Sequence, residues 1–173
     1  MRTLRTRQLV LEPLVAAHAE EMFSVLSDPL IYEFENEAPS SAEWLRNRYR
    51  KLETRQSADG NEQWLNWVVR IHGAALIGYV QATVFRNSTA LVAFEFNSAY
   101  WGKGLAREAV EVLLQELAES YGVTAAGAVY KRNNSRSRKL LDRLEMNIAD
   151  SASFPRGLAS QDEEAMVKNL QPN

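Results

Sequence analysis

Two hydrophobic periods alternate along the chain. Leu9 and Leu11 stand against polar neighbours across Gln8–Glu12 until Pro13, a two-residue period that predicts a short strand. From Ala16 to Leu26 the spacing becomes helical, with Ala19, Met22, Phe23 and Leu26 recurring on one side before Ser27-Asp28-Pro29 closes the segment. After Pro39-Ser40-Ser41 a second helical pattern puts Trp44, Leu45, Tyr49 and Leu52 on its apolar side, with Glu43 spaced for a capping box. Ser57–Glu62 predicts a polar loop. Trp64–Ile71 and Ala75–Phe85 then read as a hairpin joined through His72-Gly73, and Thr89–Phe96 as the next strand after an Asn87-Ser88 turn. Beyond Gly104, the positions Ala106, Ala109, Val110, Leu113, Leu114, Leu117 and Tyr121 keep helical spacing almost without interruption, the strongest helix signal in the chain.

Composition narrows what these elements build. A chain of 173 residues with 46% hydrophobic residues suffices for one core, so a single domain over 1–173 is expected, with no internal repeat or linker. The formal net charge of -2 gives no global attraction to polyanions. With no cysteine and only two histidines, a disulfide framework, a thiolate nucleophile and a metal site are not expected. His18, in the first helix, and His72, in a turn, read as surface residues rather than bases. No signal-peptide pattern opens the chain and no apolar run reaches membrane length, so a cytoplasmic protein is the expectation.

The junction Tyr100-Trp101-Gly102-Lys103-Gly104-Leu105-Ala106-Arg107 carries the first chemistry. Lys103 and Arg107 place positive charge at the positive end of a helix dipole, a conflict that a bound anion resolves. Unpaired N–H groups at a helix start, approached closely through glycines, make a phosphate cradle. The alternative is a tight turn with Arg107 paired to Glu111 on a solvated face. A P-loop needs glycine and Ser or Thr where Asn97 and Gly104 stand, and a dinucleotide fingerprint needs a small residue where Arg107 stands.

The run from Phe94 through Ala109 resembles the pyrophosphate loop of the Gcn5-related N-acetyltransferases, Gln/Arg-x-x-Gly-x-Gly/Ala, and its aromatic-Trp-Gly-Lys-Gly form is similar to the RimJ/RimL-like branch that acetylates ribosomal-protein N-termini. Asn97 or Ser98 falls near the general motif's Gln or Arg. LRTRQLVLEPL, the helix ending in LSDP and ALIGYVQATV resemble that family's opening strand, first helix and third strand. Val123–Tyr130 reads as a fifth strand. NNSRSRKLLDRLEM matches the Asn-x-x-Ser-x-x-x-Leu-x-x-Leu-Gly-Phe segment at Asn134, Ser137, Leu141 and Leu144, with Glu145-Met146 replacing Gly-Phe. Glu164–Leu170 looks like a final strand. The resemblance implies one α/β domain with a mixed, mostly antiparallel sheet flanked by helices.

It also implies an acetyl-CoA-dependent N-acetyltransferase. Backbone N–H groups of Gly102, Lys103, Gly104, Leu105 and Ala106, with charge from Lys103 and Arg107, would hold the pyrophosphate; Asn134 would bond the pantetheine arm, and the strand end at Phe96 and Asn97 would polarise the thioester carbonyl. Glu95, flanked by Phe94 and Phe96, is the candidate general base. Its alternative is a strand glutamate facing solvent or pairing with arginine. Ser137 is the candidate proton donor to the leaving thiolate, because Leu141 stands where many relatives carry tyrosine; alternatively it satisfies backbone groups of a first helical turn.

Two charge clusters remain open. Lys131, Arg132, Arg136, Arg138, Lys139 and Arg143 form a solvated basic face, a contact for the cofactor's 3'-phosphate, or an RNA-facing patch. Glu33, Glu35 and Glu37 form an acidic entrance for cationic amines or a solvated loop, and Tyr32, Trp44 and Trp64 either wall an acceptor pocket or belong to the core. The expected acceptor is a primary amine, on a protein N-terminus or a small molecule such as a polyamine or aminoglycoside. A non-catalytic acyl-CoA-sensing or RNA-binding module is the alternative, although a nucleic-acid partner is not the first expectation. The protein is expected as a monomer or homodimer, away from membranes.

Overall fold

A computed structural model describes residues 1–34, 36–149 and 161–171. Strands β1 (Leu4–Arg5), β2 (Leu9–Pro13), β3 (Glu62–Ile71), β4 (Leu76–Phe85), β5 (Thr89–Phe96), β6 (Ala125–Lys131), β7 (Asn147–Ile148) and β8 (Glu163–Asn169) form one sheet in the order β1-β2-β3-β4-β5-β6-β8-β7. Every pairing is antiparallel except β5 with β6. That parallel pair needs a long crossover, which helix α3 (Leu105–Tyr121) supplies. The mixed, mostly antiparallel sheet expected from the sequence is the one observed.

Helices α1 (Ala19–Leu26) and α2 (Ala42–Leu52) bury Met22, Val25, Leu26, Leu45 and Tyr49 against Val68 and Leu76 on one face. On the other face α3 and α4 (Ser135–Arg143) bury Leu105, Val110, Leu113, Leu117 and Leu141 against Trp67, Val80, Val92 and Phe96. The helical spacing read along α3 is therefore its core stripe. Gly122, at φ 64°, ends it in the left-handed conformation.

Three local expectations change. Ser41, not Ser40, caps α2 by accepting the Trp44 N–H, so the N3 position falls on Trp44 and Glu43 cannot close a capping box. With that register Trp44 turns outward, 47% exposed, rather than joining Leu45 and Tyr49 in the core. His18 is not a surface residue: it sits in a 3-10 turn before α1, its side chain 16% exposed, with Nδ1 accepting the Val15 N–H and Nε2 3.2 Å from Glu12.

Candidate active site

The site begins where β5 and β6 part. Their pairing covers only Thr89, Ala90 and Leu91 against Ala125, Ala126 and Gly127. Beyond Leu91, β5 stays bound to β4 through Phe96, and the Asn97 N–H donates to the Ile77 carbonyl of the β4 side at 2.9 Å. Backbone groups of a strand alternate sides, so the Phe94 and Phe96 amides point the other way, into the gap. The Phe96 carbonyl on that side accepts the Trp101 indole N–H at 2.7 Å.

This divergence opens a cavity of about 1340 Å³ reaching from α2 to α4. Glu95, Phe96, Gly102, Gly104, Ala106, Arg107, Asn134 and Ser137 all line it. One cavity thus gathers residues spread over more than forty positions of sequence, as a shared chemistry requires.

At one end lies the start of α3. Gly102 and Gly104 have φ 73° and 79°, conformations that glycine adopts without strain. No side chain caps the helix at Gly104. The Glu108 N–H returns to the Gly104 carbonyl, whereas the N–H groups from Gly102 to Arg107 have no acceptor in the chain among the described residues. Six unpaired donors at a dipole's positive end fit a pyrophosphate. Of the two cations, Lys103 leans over the Tyr100 ring at 5.3 Å and Arg107 holds Glu111 at 2.7 Å. The pair read as the alternative to an anion site is therefore present, and it leaves the backbone donors untouched. The Leu105 side chain is buried in the core and does not line the cavity.

Asn97 is placed differently from the sequence expectation. Its side chain accepts the Ala99 N–H and donates to the Val25 carbonyl, and it does not line the cavity. The loop it supports is also held by Asp28, whose carboxylate accepts the Ser98 N–H at 2.7 Å.

Asn134 caps α4: its side-chain oxygen accepts the Ser137 N–H at 3.0 Å, which leaves the amide NH2 for a carbonyl in the cavity. The Ser137 hydroxyl has no partner in the chain among the described residues. The basic cluster on and before α4 is mostly neutralised. Lys131 meets Asp162 and Glu163, Arg132 and Arg138 meet Glu164, Arg138 also meets Asp142, and Arg136 meets Glu33. A phosphate backbone there would compete with these carboxylates for the cations. Lys139 and Arg143 remain on the cavity wall.

Glu95 occupies the middle. It faces Tyr79 directly across β4 and hydrogen-bonds to its hydroxyl, and it accepts from the Asn36 amide at 3.0 Å. It is therefore a half-buried carboxylate engaged by a neighbouring phenol and an amide. Three phenols surround this carboxylate. Burial, with the Glu95 charge as a lesser cause, pushes Tyr79 well above the usual phenol range, raises Tyr49, and lifts Tyr32 to about 12. All three are neutral donors at neutral pH. The Tyr49 hydroxyl is buried without a hydrogen-bond partner, a state that costs about 1–3 kcal/mol.

Of the acidic run, Glu37 lines the cavity, Glu33 is taken by Arg136, and Glu35 lies outside the described residues. Tyr32 and Trp44 line the cavity, whereas Trp64 does not and bonds Glu62 instead. Sequence reasoning missed Arg48 and Asn36 here. The spacing of Arg48 four residues after Trp44 on a helix was the available signal, because that interval stacks the two side chains.

Residues 8–147 match the model of the acetyltransferase (GNAT) domain, and the chain belongs to that family. It is thus an acyltransferase that draws its acetyl group from acetyl-CoA. The fold is shared with RimL, a ribosomal L7/L12 alpha-N-protein acetyltransferase solved in complex with coenzyme A, at TM-score 0.83 and 11% identity over 99% of this chain and 100% of that one. It is also shared with the ribosomal-protein-S5-alanine acetyltransferase of Vibrio fischeri (TM-score 0.78, 18% identity, 98% of this chain and 97% of that one). A GNAT-family acetyltransferase of Bacillus anthracis aligns at TM-score 0.75 and 19% identity, covering 97% and 98% of the two chains. No curated protein matches the chain in sequence. No helix among the described residues is long and apolar enough to cross a membrane.

Proposed function

We propose that this acetyltransferase transfers the acetyl group directly to a primary amine, with Glu95 as general base. The observation that carries the reading is the cavity itself. It joins an uncapped helix start to a carboxylate within the gap between β5 and β6. Acetyl-CoA supplies the thioester, whose carbonyl carbon bonds to the amine nitrogen and whose sulfur leaves as the thiol. The chain's residues do the rest. Amides from Gly102 to Ala106 hold the pyrophosphate, Lys103 and Arg107 add positive charge, and the Asn134 amide steadies the pantetheine arm.

The Phe96 N–H, fixed by the strand and directed into the gap, donates to the oxygen on which negative charge develops. Glu95 takes the proton that the amine must lose, directly or through water. The Ser137 hydroxyl donates toward the departing sulfur. Support for a protein α-amine as acceptor comes from RimL and the S5-alanine enzyme, both named for protein acetylation. A small-molecule amine is the competing acceptor.

Calorimetric titration with acetyl-CoA, comparing wild type with Gly104→Asp, tests the cradle, and a panel of peptides, polyamines and aminoglycosides then tests transfer. The expected result is binding that the aspartate abolishes, followed by acetylation of a primary amine. Binding without transfer to any amine would make the protein a sensor of acyl-CoA. Absence of wild-type binding would overturn the cradle.

A further inference from the structure

The acceptor side of the cavity contains a cation, Arg48, that forms no ion pair with a carboxylate among the described residues. Arg48 lines the wall from the exposed face of α2, 5.8 Å from the centroid of the Trp44 ring one turn earlier. Of the other arginines on this wall, Arg107 holds Glu111 and Arg136 holds Glu33, whereas Arg143, with Lys139, lines the cavity from α4. Arg48 has no carboxylate partner among the described residues. Its stacking on Trp44 restricts the guanidinium while leaving its in-plane N–H donors unused.

A second observation lies beside it. The neighbouring Tyr49, 3% exposed and also a cavity-lining residue, holds its hydroxyl in the interior with no acceptor. The cavity that Arg48 lines is also lined by the carboxylate residues Glu95 and Glu37, and both the Arg48 and the Glu95 charge act on the phenols of Tyr49 and Tyr79. A guanidinium and carboxylates lining one cavity match a ligand that carries both an ammonium and an anionic group. A polycationic amine would satisfy the carboxylates and be repelled by Arg48.

We propose that the acceptor is an amine that also carries a carboxylate, with the amine drawn to Glu95 and the carboxylate bound by the fork of Arg48. This rests on the N-acetyltransferase reading above and specifies its acceptor. The carboxylate has two possible sources, the free α-carboxylate of an amino acid or an acidic side chain close to a peptide N-terminus.

The test uses matched acceptor pairs with the full chain and acetyl-CoA: an L-amino acid against its carboxamide, and a short peptide with Asp at its second position against the same peptide with Asn. The readout is the ratio of kcat/KM within each pair for wild type, Arg48→Gln and Arg48→Lys. Wild type is expected to favour the carboxylate member of one pair by about tenfold to a hundredfold, the value of a hydrogen bond to a charged group. Which pair shows the preference identifies the source. Arg48→Gln should bring that ratio toward one, and Arg48→Lys should restore part of it, mostly through KM. A merely structural Arg48 would lower both members together and leave the ratio unchanged. Transfer to both members of each pair with equal efficiency by wild type would overturn the anion site while leaving the acetyltransferase reading intact. No transfer to any acceptor, with acetyl-CoA bound, would overturn both.

Discussion

The Arg136 guanidinium lies 4.4 Å from the centroid of the Trp101 ring. The same side chain reaches Glu33 at 2.5 Å and stands 5.3 Å from the Phe34 ring, so α4, the cradle and the segment after α1 meet at one residue. Trp101 in turn donates to the Phe96 carbonyl, which couples this junction to the end of β5. An exposed ion pair alone is worth about 0–1 kcal/mol, so the ring contact should contribute a comparable or larger share. A double-mutant cycle of Arg136→Ala and Trp101→Leu, read by denaturant unfolding, is expected to give a coupling of about 0.5–1 kcal/mol. A coupling near zero would show that the two side chains do not hold each other in solution.

Gly78 on β4 fixes how closely β5 can approach. A Cβ built there would lie 2.2 Å from the Glu95 carbonyl oxygen and 2.9 Å from the Phe96 Cα, both backbone atoms that cannot swing aside. Gly78→Ala should therefore cost about 1–3 kcal/mol as strands separate to admit the methyl group. It should also lower activity in the folded fraction, because the displaced strand is the one carrying Glu95 and Phe96. Unchanged unfolding midpoint and rate would mean that β4 and β5 are not held in this register.

Glu95→Gln keeps the size of the side chain and an oxygen to accept from the Asn36 amide but removes the proton acceptor. If Glu95 is the base, kcat should fall roughly 10²-fold or more while acetyl-CoA affinity by calorimetry holds. The acid limb of the wild-type kcat/KM profile should also disappear in the variant. An unchanged rate removes Glu95 from the chemistry.

Ser137 allows its two readings to be separated, because the helix cap uses its backbone N–H and not its hydroxyl. Ser137→Ala should leave the melting temperature within about 1–2 °C while lowering kcat, on the order of tenfold, if the hydroxyl protonates the leaving sulfur. Loss of stability with kcat unchanged would assign the serine to the helix instead.

How much of this could be read from the chain depended on the range of the interactions. Strand β5 and helices α3 and α4 follow from local period and from Asn134, a cap that acts within three residues. Ser40 and Ser41 both offer an α2 cap, and Ser41 takes it; Trp44, one residue from buried Leu45, faces outward onto the cavity wall, which periodicity alone does not separate from the core face. The cradle glycines were legible because a helix start exposes its donors whatever lies around it. The parting of β5 from β6 was not, since it is a property of the sheet and no local residue records it. The Tyr79–Glu95 contact needed the strand register, and the neutralisation of Arg132 and Arg138 needed Glu164 from a strand far along the chain.

Acid stability should depend on a network beneath α1. Arg70 of β3 gives two hydrogen bonds to the Glu21 carboxylate, at 2.8 and 2.9 Å, and one to Glu12 at 2.9 Å, while the Leu76 N–H donates to Glu21 at 2.8 Å. The Arg70 hydrogen bonds are the largest cause holding the Glu21 carboxyl below its ordinary value of 4.5, against burial, which acts in the opposite direction. A carboxyl with a lower pKa in the folded state contributes stability that is complete above 4.5 and disappears as pH falls through the folded-state value. The neutral variant Glu21→Gln cannot lose what it never had. Denaturant midpoints measured from pH 7 down to about pH 3 should show wild type above Glu21→Gln at neutral pH, with the gap closing below 4.5. With the Glu21 side chain 41% exposed, the gap should also shrink at about 1 M salt. Two curves that stay parallel across this range would show that Glu21 titrates alike in the folded and unfolded chain, and that Arg70 does not hold it.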